Sequence, residues 1–247
     1  MWYEVSGDGP PVVLLHCGLA DSRQWDPQFV HWADGFRVVR SDFPGYGRTP
    51  AADGQVSLVE LVVDLLDATQ IERATIVRNS LGGRAALEFA SERPERVNAL
   101  VLVAPGLSDH EWSEEVRRFG AEEDELLERG DLERAARLNV DMWSPAAPPD
   151  VRERLYEMQL RAFRNQHGTT ARLRRVDEKL EKITVPTLVV IGERDVSDMH
   201  VIAERLAREL PDAELARLEG ASHVPNLEDP EQFDSVVLPF LERYASA

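Results

Sequence analysis

Short apolar runs alternate with longer amphipathic stretches along this chain, and this alternation limits its fold more than any other feature. Runs rich in β-branched residues lie at 12–15, 36–39, 74–77, 97–103 and 187–191, with a weaker one at 214–218. Helical patterns lie between or after them, at 22–32, 57–67, 81–90 and 230–244. Strands that alternate with helices form mostly parallel sheets covered by helices. The sequence therefore predicts an α/β fold.

The alternation stops after Pro105 and resumes at Thr187. Between 107 and about 181 the sequence offers no strand, only charged helix-forming segments such as 122–139 and 151–164, which a proline cluster separates. Apolar positions in these segments recur at helical spacing. We predict a core domain at 1–106 and 183–247, with a helical insertion at 107–182 over one face of the sheet. The alternative is a separate helical domain, since about 75 residues can fold alone.

Charge and cysteine content exclude several classes of partner. The net charge of −17 would repel phosphate backbones and anionic lipid surfaces. No apolar run approaches the roughly 20 residues that span a bilayer, and the first residues do not resemble a signal peptide. One cysteine, Cys17, excludes an internal disulfide, and no zinc-ligand cluster is evident. We expect a cytoplasmic protein with no nucleic-acid, membrane or metal partner.

A serine stands at a strand-to-helix turn. Residues 74–87 read ATIVRNSLGGRAAL, which places Ser80 between a predicted strand and a predicted helix. Such a turn lifts the hydroxyl above the sheet and leaves the backbone N–H of Leu81 free to hold an oxyanion. A serine before glycines is also a common helix cap, so the turn alone does not assign a role.

Candidates for a base and an acid lie in the last third of the chain. His223 lies in a loop before the last helix, and Glu193, Asp195 and Asp198 follow the strand at 187–191. A serine hydroxyl is a weak nucleophile until a neutral imidazole removes its proton. A carboxylate then fixes the imidazole tautomer and stabilises its charged form. The residues alone leave all three acids as candidates.

Taken together, these segments resemble the α/β-hydrolase family, in which serine, acid and histidine follow one another in this chain order. The resemblance covers about 1–105 and 183–247. It implies the family's mostly parallel sheet flanked by helices, with 107–182 as a helical cap. It also implies a catalytic triad of Ser80, Asp195 and His223. Asp195 is preferred because it matches the family position of the acid.

The loop after the first apolar run adds to the resemblance. Residues 12–19 read VVLLHCGL, similar to the family's oxyanion loop. The resemblance implies that the backbone N–H groups of Gly18 and Leu81 form the oxyanion hole. Cys17 stands where the family usually has a small residue, and we expect it to be a buried, inert thiol. His16 is expected to stabilise the loop through hydrogen bonds.

Arg78 departs from the family pattern, which has a small residue two positions before the nucleophile. Two consequences stay open: the arginine orients an anionic substrate, or it distorts the site and impairs catalysis. Further candidate substrate contacts are Trp25, Trp112 and Trp143. For these aromatic residues, packing in the core is an equally good interpretation.

The resemblance implies a serine hydrolase that cleaves a carboxylic ester or lactone of a small organic molecule through an acyl-enzyme intermediate, without a cofactor. Small carboxylesterases and enol-lactone hydrolases look most similar, and cofactorless perhydrolases share the triad. Two alternatives stay open because fold alone does not fix activity. They are a ligand-binding protein with weak turnover and a biosynthetic enzyme that uses the same pocket for a non-hydrolytic step. We expect a monomer or homodimer.

Overall fold

A computed structural model describes residues 1–174 and 179–245 of the protein, apart from the side chains of residues 81–85. None of the described helices is both long enough and apolar enough to cross a lipid bilayer. The strands are β1 Tyr3–Ser6, β2 Pro11–Leu15, β3 Arg37–Ser41, β4 Gln55–Val56, β5 Ala74–Asn79, β6 Val97–Val103, β7 Arg172–Leu173, β8 Thr187–Gly192 and β9 Ala213–Leu218. The α-helices are α1 Asp26–His31, α2 Leu58–Ala68, α3 Leu81–Glu92, α4 Glu114–Glu128, α5 Leu132–Trp143, α6 Pro149–Gln166, α7 Ser197–Glu209, α8 Pro225–Glu228 and α9 Pro230–Tyr244.

The larger sheet confirms the predicted α/β fold. Its strand order is β1-β3-β2-β5-β6-β8-β9, and every pair is parallel except β1 with β3 at one edge. The chain runs from β2 outward to β3 and then returns to place β5 on the other side of β2. The loops that follow β2 and β5 therefore lie side by side. Ligands of open α/β sheets bind at such a switch point.

Helices cover both faces of this sheet, which explains why its central strands are continuous apolar runs. Every residue of β6 and of β8 is buried. One core cluster joins the sheet to α2, α3 and α7, and a second joins the opposite face to α1 and α9. Ser57 caps α2 by accepting a hydrogen bond from the N–H of Glu60, as the sequence predicts.

The predicted helical segment 122–139 is broken in the structure. Helix α4 ends at Glu128, and α5 begins at Leu132. Gly130 between them has φ of 72°, a left-handed conformation that glycine adopts without steric cost. Asp131 then caps α5 by accepting from the N–H of Arg134. Charged residues that favour helix surround the break, so the sequence pattern does not reveal the turn.

The expectation of no strand between 107 and 181 is also wrong in one place. Strand β7 pairs in parallel with β4 in a ladder of two residues, with Gln55 opposite Arg172. A strand of two exposed residues is too short to produce a periodic pattern of apolar residues in the sequence. The division of the chain into core and insertion stays a prediction, and residues 175–178 of the insertion lie outside the described residues.

We predict that Val237→Ala lowers the free energy of unfolding by about 2–3 kcal/mol, because Val237 of α9 is fully buried between helix and sheet. Val201→Ala in α7 is the matched control, since 55% of Val201 is exposed. Its effect should stay within about 0.5 kcal/mol. Urea denaturation measures both. Equal losses would show that the second core cluster does not stabilise the fold as described.

Candidate active site

Ser80 occupies a strained turn between β5 and α3. Its φ of 53° and ψ of −115° lie in a region that residues with a side chain rarely adopt. Such a conformation costs on the order of 1–3 kcal/mol and persists only where neighbouring contacts enforce it. Here the N–H of Ser80 donates to the carbonyl of Val103 at 2.9 Å. The turn is the one predicted for a nucleophile, and it presents Ser80 at the carboxyl end of the sheet.

Asp195 and His223 form a buried hydrogen-bonded pair. The imidazole Nδ1 lies 2.9 Å from Oδ2 and 3.1 Å from Oδ1 of Asp195. The carboxylate thereby selects the tautomer with the proton on Nδ1, and Nε2 is left as the nitrogen that can accept a proton. The N–H of Val196 also donates to Asp195 Oδ1 at 2.8 Å, which fixes the carboxylate. This pair has the geometry that a base and its supporting acid require.

The other two candidate acids form hydrogen bonds with groups other than His223. Glu193 accepts a hydrogen bond from the N–H of Gly220 at 3.2 Å. Asp198 accepts from the N–H of Ser113 at 2.7 Å and pairs with Nε2 of His110 at 2.9 Å. His110, for which the sequence indicates only a surface or structural role, is therefore held in place by Asp198. Only Asp195, of the three, contacts His223.

The histidine loop packs directly against the end of β8. A Cβ added to Gly192 would lie 2.1 Å from the carbonyl oxygen of Ser222, so only glycine fits there. Glu228 holds the loop from its other side. Its carboxylate accepts from the N–H of Ser222 at 2.6 Å and from the N–H of Val224 at 3.1 Å, on either side of His223. These contacts explain why the acid and the base meet although 28 residues separate them.

Asn79, the residue before the serine, joins the loop of His223 to the strand-to-helix turn at Ser80, which we call the serine elbow. Nδ2 of Asn79 donates to the carbonyl of Val103 at 3.0 Å and to the carbonyl of His223 at 3.0 Å. The serine and the histidine therefore lie on adjacent loops at the same end of the sheet. Sequence reasoning gave Asn79 no role of its own.

His16 anchors the loop after β2, as expected. Its Nδ1–H donates to the carbonyl of Cys17 at 2.7 Å, and its Nε2 accepts from the N–H of Phe43 at 3.0 Å. Burial keeps the pKa of His16 below its usual value, so the ring stays neutral. With both nitrogens engaged, His16 is a structural part of the loop.

The next carbonyl groups of this loop accept hydrogen bonds from helix α6. In the amide orientation that satisfies its hydrogen bonds, Gln159 of α6 donates to the carbonyls of Gly18 at 2.8 Å and Leu19 at 3.2 Å. Cys17 is fully buried, and burial raises the pKa of its thiol to about 12. It is therefore the uncharged thiol that the sequence predicts. Leu81, the other predicted oxyanion donor, begins α3 directly after Ser80.

Arg78 lies in the core, with no path to the surface. It is fully buried beside Phe43, with its guanidinium carbon 5.5 Å from the ring centroid. None of the described residues accepts a hydrogen bond from its three side-chain nitrogens. Burial lowers its pKa to about 9, which the negative charge of Glu88 partly opposes. Contact with a substrate stays a prediction for this residue.

The three tryptophans proposed from the sequence occupy different environments. The ring of Trp143 lies 4.7 Å from the ring of His223, and its carbonyl accepts from the N–H of His223 at 3.1 Å. Trp112 packs its ring edge-on to His110 and borders the first core cluster. Trp25 is fully buried, 6.1 Å from the ring of Phe233. Core packing, the alternative considered from the sequence, accounts for Trp25.

A cavity of about 410 Å³ lies beside the His16 loop. Two of its lining residues, Phe43 and Tyr46, pack their rings 4.8 and 5.0 Å from the His16 ring. The lining is mainly apolar and comes from residues 43–58 and from the predicted insertion: Phe43, Pro44, Tyr46, Ala51, Ala52, Val56, Leu58, Leu127, Leu132, Phe163, Gln166, His167, Gly168, Thr169, Ala171 and Leu173. In the described part of the chain, no three His, Cys, Asp or Glu side chains are grouped as a metal site requires.

Comparison with known proteins agrees with this fold. A family model for the alpha/beta hydrolase fold matches residues 10–230. The chain belongs to the α/β-hydrolase family. At this level of description the protein is a hydrolase, as the sequence resemblance implied.

Relatives with differing names share this fold over nearly their whole length. A protein of Agrobacterium fabrum, provisionally named carbamate hydrolase RutD, is 30% identical over 98% of this chain and 98% of its own. A pimeloyl-(acyl-carrier protein) methyl ester esterase of Nitrosospira multiformis is 30% identical over 97% of each. The enol-lactonase of Burkholderia xenovorans superposes with a TM-score of 0.78 over 98% of this chain and 96% of that one. At 22% identity, this last likeness concerns the fold alone.

We predict that Gly192→Ala separates the acid from the histidine, because the new Cβ would overlap the carbonyl oxygen of Ser222. The hydrolytic rate should fall roughly 100-fold, as it does when a catalytic group moves by about 1 Å. Gly35→Ala is the matched control, since a Cβ there meets no atom within 4 Å. Steady-state kinetics with an activated ester compare the two. Full activity in Gly192→Ala would show that this close packing does not position the pair.

Proposed function

We propose that the protein is a serine hydrolase that cleaves a carboxylic ester or lactone of a small organic molecule through an acyl-enzyme. The observation that carries the proposal is the combination of a strained serine turn with a buried Asp195–His223 pair on the adjacent loop. Backbone strain at a polar residue persists where surrounding contacts enforce it, often at reactive sites. No organic cofactor or metal takes part in the proposed reaction.

In the proposed first step, Ser80 Oγ attacks the carbonyl carbon of the substrate while His223 Nε2 removes the hydroxyl proton. The N–H groups of Gly18 and Leu81 stabilise the oxyanion, and such donors contribute about 3 kcal/mol each to the transition state. The intermediate collapses, the alcohol leaves with the proton from His223, and the acyl group stays on Ser80. Asp195 stabilises the imidazolium throughout.

In the second step, His223 removes a proton from water, and the hydroxide attacks the acyl-enzyme carbonyl. The resulting tetrahedral intermediate uses the same two N–H groups. Its collapse releases the carboxylic acid and returns the proton to Ser80. A lactone follows the same two steps, except that the leaving alcohol remains part of the product.

The cavity beside the His16 loop supports an apolar substrate. Its lining is mainly aliphatic and aromatic, and its volume suits a short acyl chain or a single ring. Trp143, beside His223, would form another wall near the reacting carbonyl. Ser80, Asp195 and His223 do not line this cavity, so we propose that it holds the apolar part of the substrate that is remote from the reacting carbonyl, beside helices α4 to α6.

Hydrolysis of a carbamate is the second candidate, favoured by the relatives that carry the name carbamate hydrolase. The same serine, imidazole and oxyanion donors would serve, because a carbamate carbonyl passes through the same kind of tetrahedral intermediate. The two candidates differ in product. A carboxylic ester yields an alcohol and a carboxylic acid, whereas a carbamate ester yields an alcohol and a carbamic acid that decomposes to an amine and carbon dioxide.

The test is a panel of p-nitrophenyl esters, simple lactones and carbamates with wild type, Ser80→Ala and Asp195→Asn. We expect turnover by wild type that is abolished by Ser80→Ala. Asp195→Asn should lose roughly 10⁴-fold in kcat, because an asparagine favours the wrong histidine tautomer. Mass spectrometry of the quenched reaction should detect the acyl group on Ser80.

Each outcome discriminates between the candidates. Turnover of carbamates alone would favour the second candidate. Binding of these compounds without turnover of any of them would favour a ligand-binding protein. Equal turnover by wild type and Ser80→Ala would exclude Ser80 as the nucleophile.

A separate prediction concerns the cavity. Wild type should prefer p-nitrophenyl hexanoate to the acetate, because each buried methylene contributes about 0.8 kcal/mol. Ala52→Phe would fill part of the cavity and should abolish that preference while leaving the acetate rate within about threefold. Val30→Phe is the control, since 68% of Val30 is exposed. An unchanged chain-length preference in Ala52→Phe would place the acyl group elsewhere.

A further inference from the structure

We propose that Gln24 is a positioning residue for the reaction, because its side-chain amide joins the three loops that would carry the chemistry. The proposal rests on the proposed function, in which the loop after β2, the serine elbow and the histidine loop supply the oxyanion hole, nucleophile and base. Gln24 is fully buried in the turn before α1. No motif in the sequence distinguishes Gln24 from a glutamine on the exposed face of a helix.

The two ends of the Gln24 amide face different loops. Its Oε1 accepts from the N–H of Cys17 at 2.9 Å, directly before Gly18 in the predicted oxyanion loop. Its Nε2 donates to Oδ1 of Asn79 at 2.8 Å, directly before Ser80. The same nitrogen donates to Oδ1 of Asn226 at 2.9 Å, three residues after His223. One side chain thus contacts a neighbour of each group that would react.

The partners of Gln24 extend these contacts to the main chain. Asn79 uses its nitrogen to hold the carbonyls of Val103 and His223. Asn226 uses its nitrogen to hold the carbonyl of Gln24 at 2.9 Å and Oε1 of Gln28 at 3.2 Å. All four amide side chains are fully buried. Every one of their nitrogens has two acceptors, so no donor of the cluster is left unpaired.

The direction of each hydrogen bond in this cluster is fixed. The N–H of Cys17 can only donate, so the oxygen of Gln24 must face it and the nitrogen must face the two asparagines. The carbonyls of Val103 and His223 can only accept, so the nitrogen of Asn79 must face them. A buried amide that loses a partner pays its full desolvation cost. Rotation of the Gln24 or Asn79 amide would therefore leave several groups unsatisfied, and these two side chains keep the three loops in one relative position.

Gln28 provides an internal control. It is also fully buried in the same cluster, one turn further along the chain. Its nitrogen donates to the carbonyl of Asn226 at 3.2 Å and to Oδ1 of Asp234 at 3.2 Å, toward α9. None of its hydrogen bonds goes to Cys17 or Asn79. Loss of Gln28 should therefore cost stability without releasing the oxyanion loop or the elbow.

The experiment compares Gln24→Met with Gln28→Met, which replace each amide by an apolar chain of similar length. A fluorophosphonate probe measures the rate of covalent labelling at Ser80, which needs the nucleophile, base and oxyanion hole but no natural substrate. Iodoacetamide measures the reactivity of Cys17, the single cysteine of the chain, and so reports on the loop itself. Urea denaturation and kcat and KM for p-nitrophenyl acetate complete the comparison.

We expect Gln24→Met to lower Ser80 labelling and kcat by roughly 10- to 100-fold with KM changed by less than about threefold. Alkylation of Cys17 should become at least about tenfold faster, since its loop opens more readily. In Gln28→Met, both reactivities should stay within about twofold of wild type although stability falls. If Gln24→Met does not fold, Asn79→Leu replaces it, with the same expectation for Ser80.

Equal losses of labelling in the Gln24 and Gln28 variants would reduce Gln24 to a stability role and overturn the proposal. So would faster alkylation of Cys17 without slower labelling of Ser80, because the loop would then loosen without effect on the chemistry. A wild-type protein that neither labels at Ser80 nor hydrolyses any substrate would overturn the proposed function, and this inference with it. The two failures are therefore distinguishable.

Discussion

Parallel pairing of β2, β5, β6, β8 and β9 is the constraint on which the site depends. Parallel strands bring their carboxyl ends to one edge, so the loops after β2, β5, β8 and β9 meet although they are far apart in the chain. The position of β2 between β3 and β5 places the switch point of the sheet at that edge. The strained turn at Ser80 can persist because the carbonyl of Val103 accepts hydrogen bonds from the N–H of Ser80 and from Nδ2 of Asn79. Parallel pairing of the strands thus brings these loops together. It also supplies the contacts that hold Ser80 in an unfavourable backbone conformation.

Much of this arrangement could be predicted from the sequence, because local pattern and topology act together. The bounds of β6 and α9 and the cap at Ser57 follow from apolar periodicity and turn chemistry. The triad order followed from family resemblance, and the pairing of Asp195 with His223 agrees with it. The cytoplasmic location and the monomer or homodimer stay predictions.

What could not be predicted depends on partners distant in the sequence. Gln24 and Asn226 are 202 residues apart, and an isolated glutamine carries no sign of such a contact. His110 and Asp198, 88 residues apart, pair for the same reason. The break at Gly130 and the two-residue strand β7 were hidden because each is shorter than any repeating pattern. The burial of Arg78 could not be predicted either, because the amino-acid composition does not indicate that an arginine side chain lies in the core.

The helices between β6 and β8 do more than cover the sheet. Gln159 bonds to the carbonyl of Gly18, the carbonyl of Trp143 accepts from the N–H of His223, and the N–H of Ser113 donates to Asp198 near the acid. A lid that lifted away would break a bond to each of these neighbourhoods. Displacement of this segment would therefore disturb the loops of Gly18, His223 and Asp198 at the same time.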